Sequence, residues 1–230
     1  MSKHLTRDLE DLHRKVMGMA ARVEEAIYAA LKALQGRDPR LAREVVAGDE
    51  TIDVLENAIY EECLRLIALH QPVAIDLRQI AATFMVTTDL ERMGDLAVDI
   101  AERAEALAAW PNVLESASDD ALSAKFQRMT DLSTGMVRQS LDAFVNMEPR
   151  EARRVIRMDV EVDRYHAEII RDLIVRMKAS PAAVEPALSL FSAVRHLERI
   201  ADHATNIAED VVYLVDGEIV RHRLDAAAAD

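Results

Sequence analysis

Cysteine occurs once in this 230-residue chain, at Cys63, so no disulfide can form within it. The spacing of Cys63 from Ile59 and Leu66 places the thiol on a packed helix face. Glycine and proline number six each, and aromatic residues make up only 4%. That scarcity disfavours strands and turn-rich β folds, which draw on aromatic and β-branched residues. No apolar run approaches the ~20 residues needed to cross a bilayer. The opening MSKHLTRDLEDLHRK is charged from its third residue and has no apolar signal core, so a cytosolic protein is expected. A basic stripe is also missing. The net charge is −13 and the arginines are scattered among acids, which excludes nucleic acid as a partner. There is no nucleophile beside a base, no glycine-rich phosphate loop and no dinucleotide fingerprint.

What is present is a helical pattern. Half of the residues are apolar, enough to bury a sizeable core. Leu5, Leu9, Leu12, Val16, Met19, Val23, Ile27, Ala30 and Leu34 recur every three or four positions, and Leu122, Phe126, Met129, Met136 and Phe144 repeat that period. Pro39, Pro72, Pro111, Pro149 and the pair Pro181 and Pro186 mark five breaks, which leave six segments. At ~1.5 Å per residue the segments make rods of roughly 40–50 Å. The expected fold is all-α, with six long antiparallel helices.

The chain also repeats itself. A shift of 110 lays Pro39-Arg40 on Pro149-Arg150, Val45 on Val155, Asp49 on Asp159 and Asp53 on Asp163. A shift of 107 lays LERMGDLAVDIAE (90–102) on LERIADHATNIAE (197–209). The three-residue difference falls around Pro72 and Pro181, where loop length changes cheaply. Two tandem three-helix bundles are expected, over 1–110 and 112–217, joined near Pro111 and Asn112. Gly217 should cap the last helix and 218–230 should be a flexible tail.

The repeated polar residues form acidic ladders. They are Asp49-x-x-x-Asp53 with Glu91-x-x-x-Asp95-x-x-x-Asp99, and Asp159-x-x-x-Asp163 with Glu198-x-x-x-Asp202-x-x-x-Asn206. Four residues advance a helix ~40° beyond a full turn, so each set lies along one face. In an antiparallel hairpin, Asp49 is level with Asp95 and Asp53 with Glu91. Asp159 is likewise level with Asp202, and Asp163 with Glu198. Like charges held this close raise one another's pKa unless a cation intervenes. Such oxygen clusters suit magnesium, calcium, manganese or iron; a solvated acidic face is the plainer alternative. Arg92 and Arg199 stand beside Glu91 and Glu198, the first acids of their ladders, and are expected to be their salt-bridge partners or ordinary surface arginines. Gly94, aligned with Ala201, permits close helix approach. Glu10-x-x-His13 has the spacing of a di-iron ligand pair but is not repeated. His203, next to Asp202, is a peripheral ligand candidate.

The doubled LERMGDLAVDIAE and LERIADHATNIAE, each preceded by a DxxxD helix, together with HQPVAIDLRQI (70–80), resemble the PhoU family of bacterial phosphate-transport regulators. The resemblance spans about residues 5–217. It implies two three-helix bundles whose E(D)xxxD motifs hold multinuclear metal clusters, with iron, zinc, nickel, magnesium, manganese and calcium all open as the metal. It implies a cytoplasmic, non-enzymatic negative regulator of phosphate uptake and of the phosphate-starvation response. The implied partners are the ATPase of the phosphate ABC transporter and the phosphate-sensing histidine kinase. A homodimer is also expected, peripheral to the membrane only through those partners. Asn206 departs from the acid at Asp99, which predicts a weaker second site. A carboxylate-bridged metal enzyme and a metal-free helical scaffold are the competing readings.

Overall fold

A computed structural model of the chain describes residues 3–110 and 119–217. The junction at Pro111 and Asn112 and the tail 218–230 lie outside the described residues. The elements are α1 (Lys3–Gly36), α2 (Pro39–Gly48), α3 (Glu50–His70), α4 (Ala74–Ala108), α5 (Asp119–Asn146), α6 (Pro149–Ala179), a 3₁₀ turn (Pro181–Ala183) and α7 (Val184–Asp216). Among the described residues there is no strand.

The expected second rod is two helices, interrupted at Asp49. The dihedrals there stay helical (φ −63°, ψ −40°), but Ile52 N bonds Asp49 O at 2.8 Å, a tighter three-residue step. Gly48 precedes the interruption, and glycine is a weak helix former. The equivalent α6 runs unbroken past Asp159. Pro39 and Pro149 open their helices, where the missing N–H has no intrahelical partner. Pro186 does not mark a break; it lies in the first turn of α7, where proline is tolerated for the same reason.

The repeat is rebuilt in local geometry. Arg37 and Met147, 110 apart, are both left-handed, with φ of 48° and 52°. Each is followed by the same backbone bond, Asp38 N to Ala33 O and Glu148 N to Ala143 O, both 3.0 Å. Asp38 also caps α2 by accepting from Arg40 N (2.9 Å) and Leu41 N (3.1 Å). Gly217 ends α7 at φ +73°, its N–H donating to Tyr213 O. The three-residue difference between the units is loop 71–73: His70 corresponds to Ser180 and Ala74 to Pro181, so the loop has no counterpart in the second unit.

Burial follows the same correspondence. Ala42 and Ala152, Val45 and Val155, Ile59 and Ile169, Leu90 and Leu197, Met93 and Ile200, Ile100 and Ile207 are buried in pairs. Cys63 stands where the second unit has Leu173, and both are fully buried. Burial pushes its thiol up to about 12, so it packs as an apolar side chain.

The units meet chiefly through α4 against α7, with α1 against α5 beside them. α4 and α7 run antiparallel, because Asp89 meets His203 while Asp99, further along α4, meets His196, earlier on α7. The seam is itself repeated. Asp89 and His196 are equivalent positions, as are Asp99 and Asn206. His196 Nδ1 lies 3.5 Å from Asp99, and Asn206 donates to Asp89 at 3.2 Å. Each unit therefore offers the other the same two positions, the arrangement of an isologous contact made within one chain. His13 stacks on Phe144 across the α1–α5 seam, with ring centroids 5.8 Å apart, which removes Glu10-x-x-His13 from consideration as a ligand pair.

Ile59 and Ile169 occupy one place in two units, so the same truncation should cost the same. Ile59→Ala and Ile169→Ala are each expected to destabilise the fold by about 2–5 kcal/mol. Urea denaturation checks this. A loss below ~1 kcal/mol at either position would show that the site is not a packed core.

Candidate functional site

The hairpin arithmetic predicts which acids are level, and the structure shows that they also face one another. In the first unit the Asp49 carboxyl is raised by burial, then by the charges of Asp53 on its own rod and Asp95 on α4. Glu91 is raised by burial, then by Asp95, with Glu56 and Asp53 of α3 adding to the effect and Arg92 opposing it. Arg92 lies 3.5 Å from Glu91 and 3.4 Å from Asp95, as its position in the sequence suggested. Gly94 makes the close approach possible. A Cβ there would sit 3.1 Å from Ile52 Cδ1 and 3.5 Å from Asp49 Oδ1.

The second face is more tightly drawn. Burial pushes Asp159 up to about 7, with Asp163, Asp202 and Glu198 reinforcing the shift. Its Oδ1 is buried against Thr205 Oγ1, whose hydroxyl opposes the shift without cancelling it. Glu198 is raised by burial and then by Asp202 and Asp163, and Asp202 by burial and then by Asp163, although Asp202 keeps an exposed edge. Arg199 opposes the shift at both, as does Arg195 at Glu198.

The third rungs, Asp99 and Asn206, go elsewhere. Each step of four turns a ladder by ~40°, so the third rung stands ~80° round from the first and reaches the neighbouring unit. Asp99 approaches His196, and Asn206 donates to Asp89. The Asp99-to-Asn206 difference thus belongs to the seam. His203, expected beside Asp202, turns to the seam as well, with Nδ1 2.7 Å from Asp89 Oδ1.

Two participants escape the ladder pattern. Glu56 acts on Glu91, and His166 lies with Nδ1 4.0 Å from Glu198 while sensing Asp163 and Asp202. They are 110 apart and so hold the same place in both units. The signal was in the repeat: the motif extends to Asp-x-x-x-Asp-x-x-Glu over 49–56 and Asp-x-x-x-Asp-x-x-His over 159–166.

The donor chemistry of these faces fits a cation that prefers oxygen. On both faces the carboxylates outnumber the arginines beside them. Among the described residues no three His, Cys, Asp or Glu side chains already converge on one point. A cation would therefore have to gather carboxylates from adjacent rungs by rotamer changes on half-exposed helix faces.

Comparisons with known proteins follow the two-unit architecture. The PhoU domain family model matches twice, at residues 16–104 and 126–211. The two matches are offset by 110 at their starts and 107 at their ends, the shifts of the internal repeat. A "Phosphate-specific transport system accessory protein PhoU homolog" of Aquifex aeolicus is 40% identical over 95% of this chain and 96% of its own. A homologue with the same description from Pseudomonas aeruginosa is 36% identical over 96% of this chain and 89% of its own. The crystal structure of PhoU from Pseudomonas aeruginosa aligns with a TM-score of 0.86 at 36% identity, covering 93% of this chain and 99% of that one. The phosphate transport system regulatory protein PhoU from Streptococcus pneumoniae aligns with a TM-score of 0.86 at 30% identity, covering 94% and 99%.

Asp159 makes stability depend on pH with a definite sign. Its folded pKa, about 7, lies above the ~3.9 of an unfolded aspartate, so the native state binds the extra proton. The stability it contributes is complete below the unfolded value and is lost as pH rises through about 7. His13, His166 and His196, lowered by burial, act in the opposite sense below their ordinary value. Asp159→Asn isolates the carboxylate. In metal-free protein its melting temperature should gain on wild type by about 5–10 °C between pH 5 and pH 8, equivalent to roughly 2–3 kcal/mol. A gap that does not change with pH would refute the shift.

Proposed function

The chain belongs to the PhoU domain family, and from that premise we propose that it is a cytoplasmic accessory protein of a phosphate-specific transport system. In this reading it restrains phosphate uptake and represses phosphate-starvation genes while phosphate is plentiful, and it catalyses no reaction itself. The single observation that carries the proposal is the family match in both units, over nearly the full length of relatives named as accessory proteins of phosphate transport. Fold alone would not suffice, since one fold serves many functions. Here sequence identity and the repeated acidic motifs accompany it.

The partners proposed are the transporter's ATPase and the phosphate-sensing histidine kinase, with the chain acting as a homodimer. No helix among the described residues is long and apolar enough to cross a membrane, so any membrane association would run through partners. The two acidic faces are proposed to hold divalent or trivalent cations; iron, zinc, nickel, magnesium, manganese and calcium remain candidates. Asp49, Asp53, Glu91 and Asp95 would hold one, and Asp159, Asp163, Glu198 and Asp202 the other. A bound cation would supply positive charge beyond that of the flanking arginines. Carboxyls raised by burial and by one another's charge, on adjacent helices of both units, support this assignment. Arg92 and Arg199 would then adjust the charge of each face from its edge.

Deleting the gene, in a strain with no second copy, should leave phosphate-scavenging genes expressed in phosphate-rich medium. Reporter expression at least severalfold above the parent, restored by a plasmid copy, is the expected result. Normal repression in the deletion strain would contradict the regulatory role.

A further inference from the structure

We propose that His166 is a nitrogen ligand that gives the second acidic face a preference for borderline transition metals, while the first face, with Glu56 in its place, takes hard cations. The inference rests on the assignment of both faces as cation sites and adds a difference between them. Positions 49, 53 and 56 on the α2–α3 rod, and 159, 163 and 166 on α6, follow a four-then-three spacing. Seven residues make nearly two full turns, so the third position returns to within ~20° of the first and stays on the ladder's face. This return separates Glu56 and His166 from Asp99 and Asn206, whose uninterrupted steps of four carry them to the seam.

Both side chains reach their acids. Glu56 acts on Glu91 across the hairpin, and Tyr60 Oη, one turn further along α3, bonds Thr88 Oγ1 of α4 at 2.6 Å. His166 Nδ1 stands 4.0 Å from Glu198 Oε1 of α7, its ring half-buried among Asp163, Asp202 and Arg195. The first face thus offers Asp49, Asp53, Glu56, Glu91 and Asp95, all oxygen. The second offers Asp159, Asp163, Glu198 and Asp202 with one imidazole. Carboxylate-only sets suit magnesium, calcium and manganese, whereas imidazole favours nickel, zinc, copper and iron. Affinity at an imidazole-bearing site also rises more steeply from manganese to nickel than at an oxygen site. At the repeat position shared by Glu56 and His166 an oxygen donor gives way to a nitrogen donor, which is enough to give the two faces different metals.

The test uses the full chain, stripped of metal and titrated separately with Ni²⁺ and Mn²⁺ against a competing chromophoric chelator. Wild type should show two nickel affinities. His166→Glu should weaken the tighter one by tenfold or more, at least the lower end of the ~10–100-fold that loss of an outer-shell partner costs, and leave Mn²⁺ binding in place. Glu56→His should raise nickel affinity at the first face. In Co²⁺-loaded protein, an exchangeable imidazole proton shifted by the paramagnetic ion should be present in wild type and absent from His166→Glu. If tight nickel binding and the shifted proton persist in His166→Glu but vanish in Asp159→Asn/Asp202→Asn, the second face binds metal without His166 and the inference fails. If wild type binds neither Ni²⁺ nor Mn²⁺, the cation sites themselves are refuted and the inference with them.

Discussion

Repulsion between carboxylates packed level across the α3/α4 and α6/α7 hairpins sets the terms for the rest of this structure. The apolar stripes that drive packing, Ile52, Ile59 and Leu66 against Leu90, Met93 and Ala97, leave the neighbouring acids no freedom to separate. The charge of Asp95 thereby acts on Asp49, and that of Asp202 on Asp159. The core thus holds charge in an unfavourable place, and it does so twice at equivalent positions. Strained groups that persist while the surroundings pack normally mark functional sites more often than accidents.

The seam between the units shows the same economy with a different outcome. Asp89 pairs with His203 and Asn206 of the other unit, while His196 Nδ1 stands 3.5 Å from Asp99 without a hydrogen bond. Because each unit presents the same two positions to the other, the contact is self-complementary, as a dimer interface would be. The acidic faces and the seam lie on successive arcs of the same two helices. A change at Asp202 is one residue from His203, and Asp95 is one turn from Asp99. Each face is thus mechanically close to the contact that sets how the two units sit.

Much of this was legible in the sequence. Apolar period and proline placement gave the rods, and every residue of the two quoted stripes, from Leu5 to Leu34 and from Leu122 to Phe144, is buried. The repeat located equivalent turns to the residue, as Arg37 and Met147 show. Hairpin arithmetic found the level acids because register in an antiparallel pair is fixed by distance from the turn. What it could not give was the direction of the third rungs. A ladder with steps of four drifts around its helix, and only the position of the neighbouring unit decides what Asp99 and Asn206 meet. The break at Asp49 was hidden because Gly48 lacks a proline's signature. Glu56 and His166 went unseen because a search for identical residues passes over a repeat position where the two units differ.

The central claim is that the facing acids are held together for the sake of a cation. The direct measurement is the melting temperature of chelator-stripped protein at pH 8, against added Mg²⁺ or Mn²⁺ and against K⁺ at matched ionic strength. Stabilisation by a bound ion follows mass action, so the melting temperature should rise steadily with the logarithm of divalent concentration above the dissociation constant. Potassium at equal ionic strength should give only the small gain expected from screening. Identical curves for divalent cations and potassium would mean that the ladders are ordinary acidic surface, and would contradict the account.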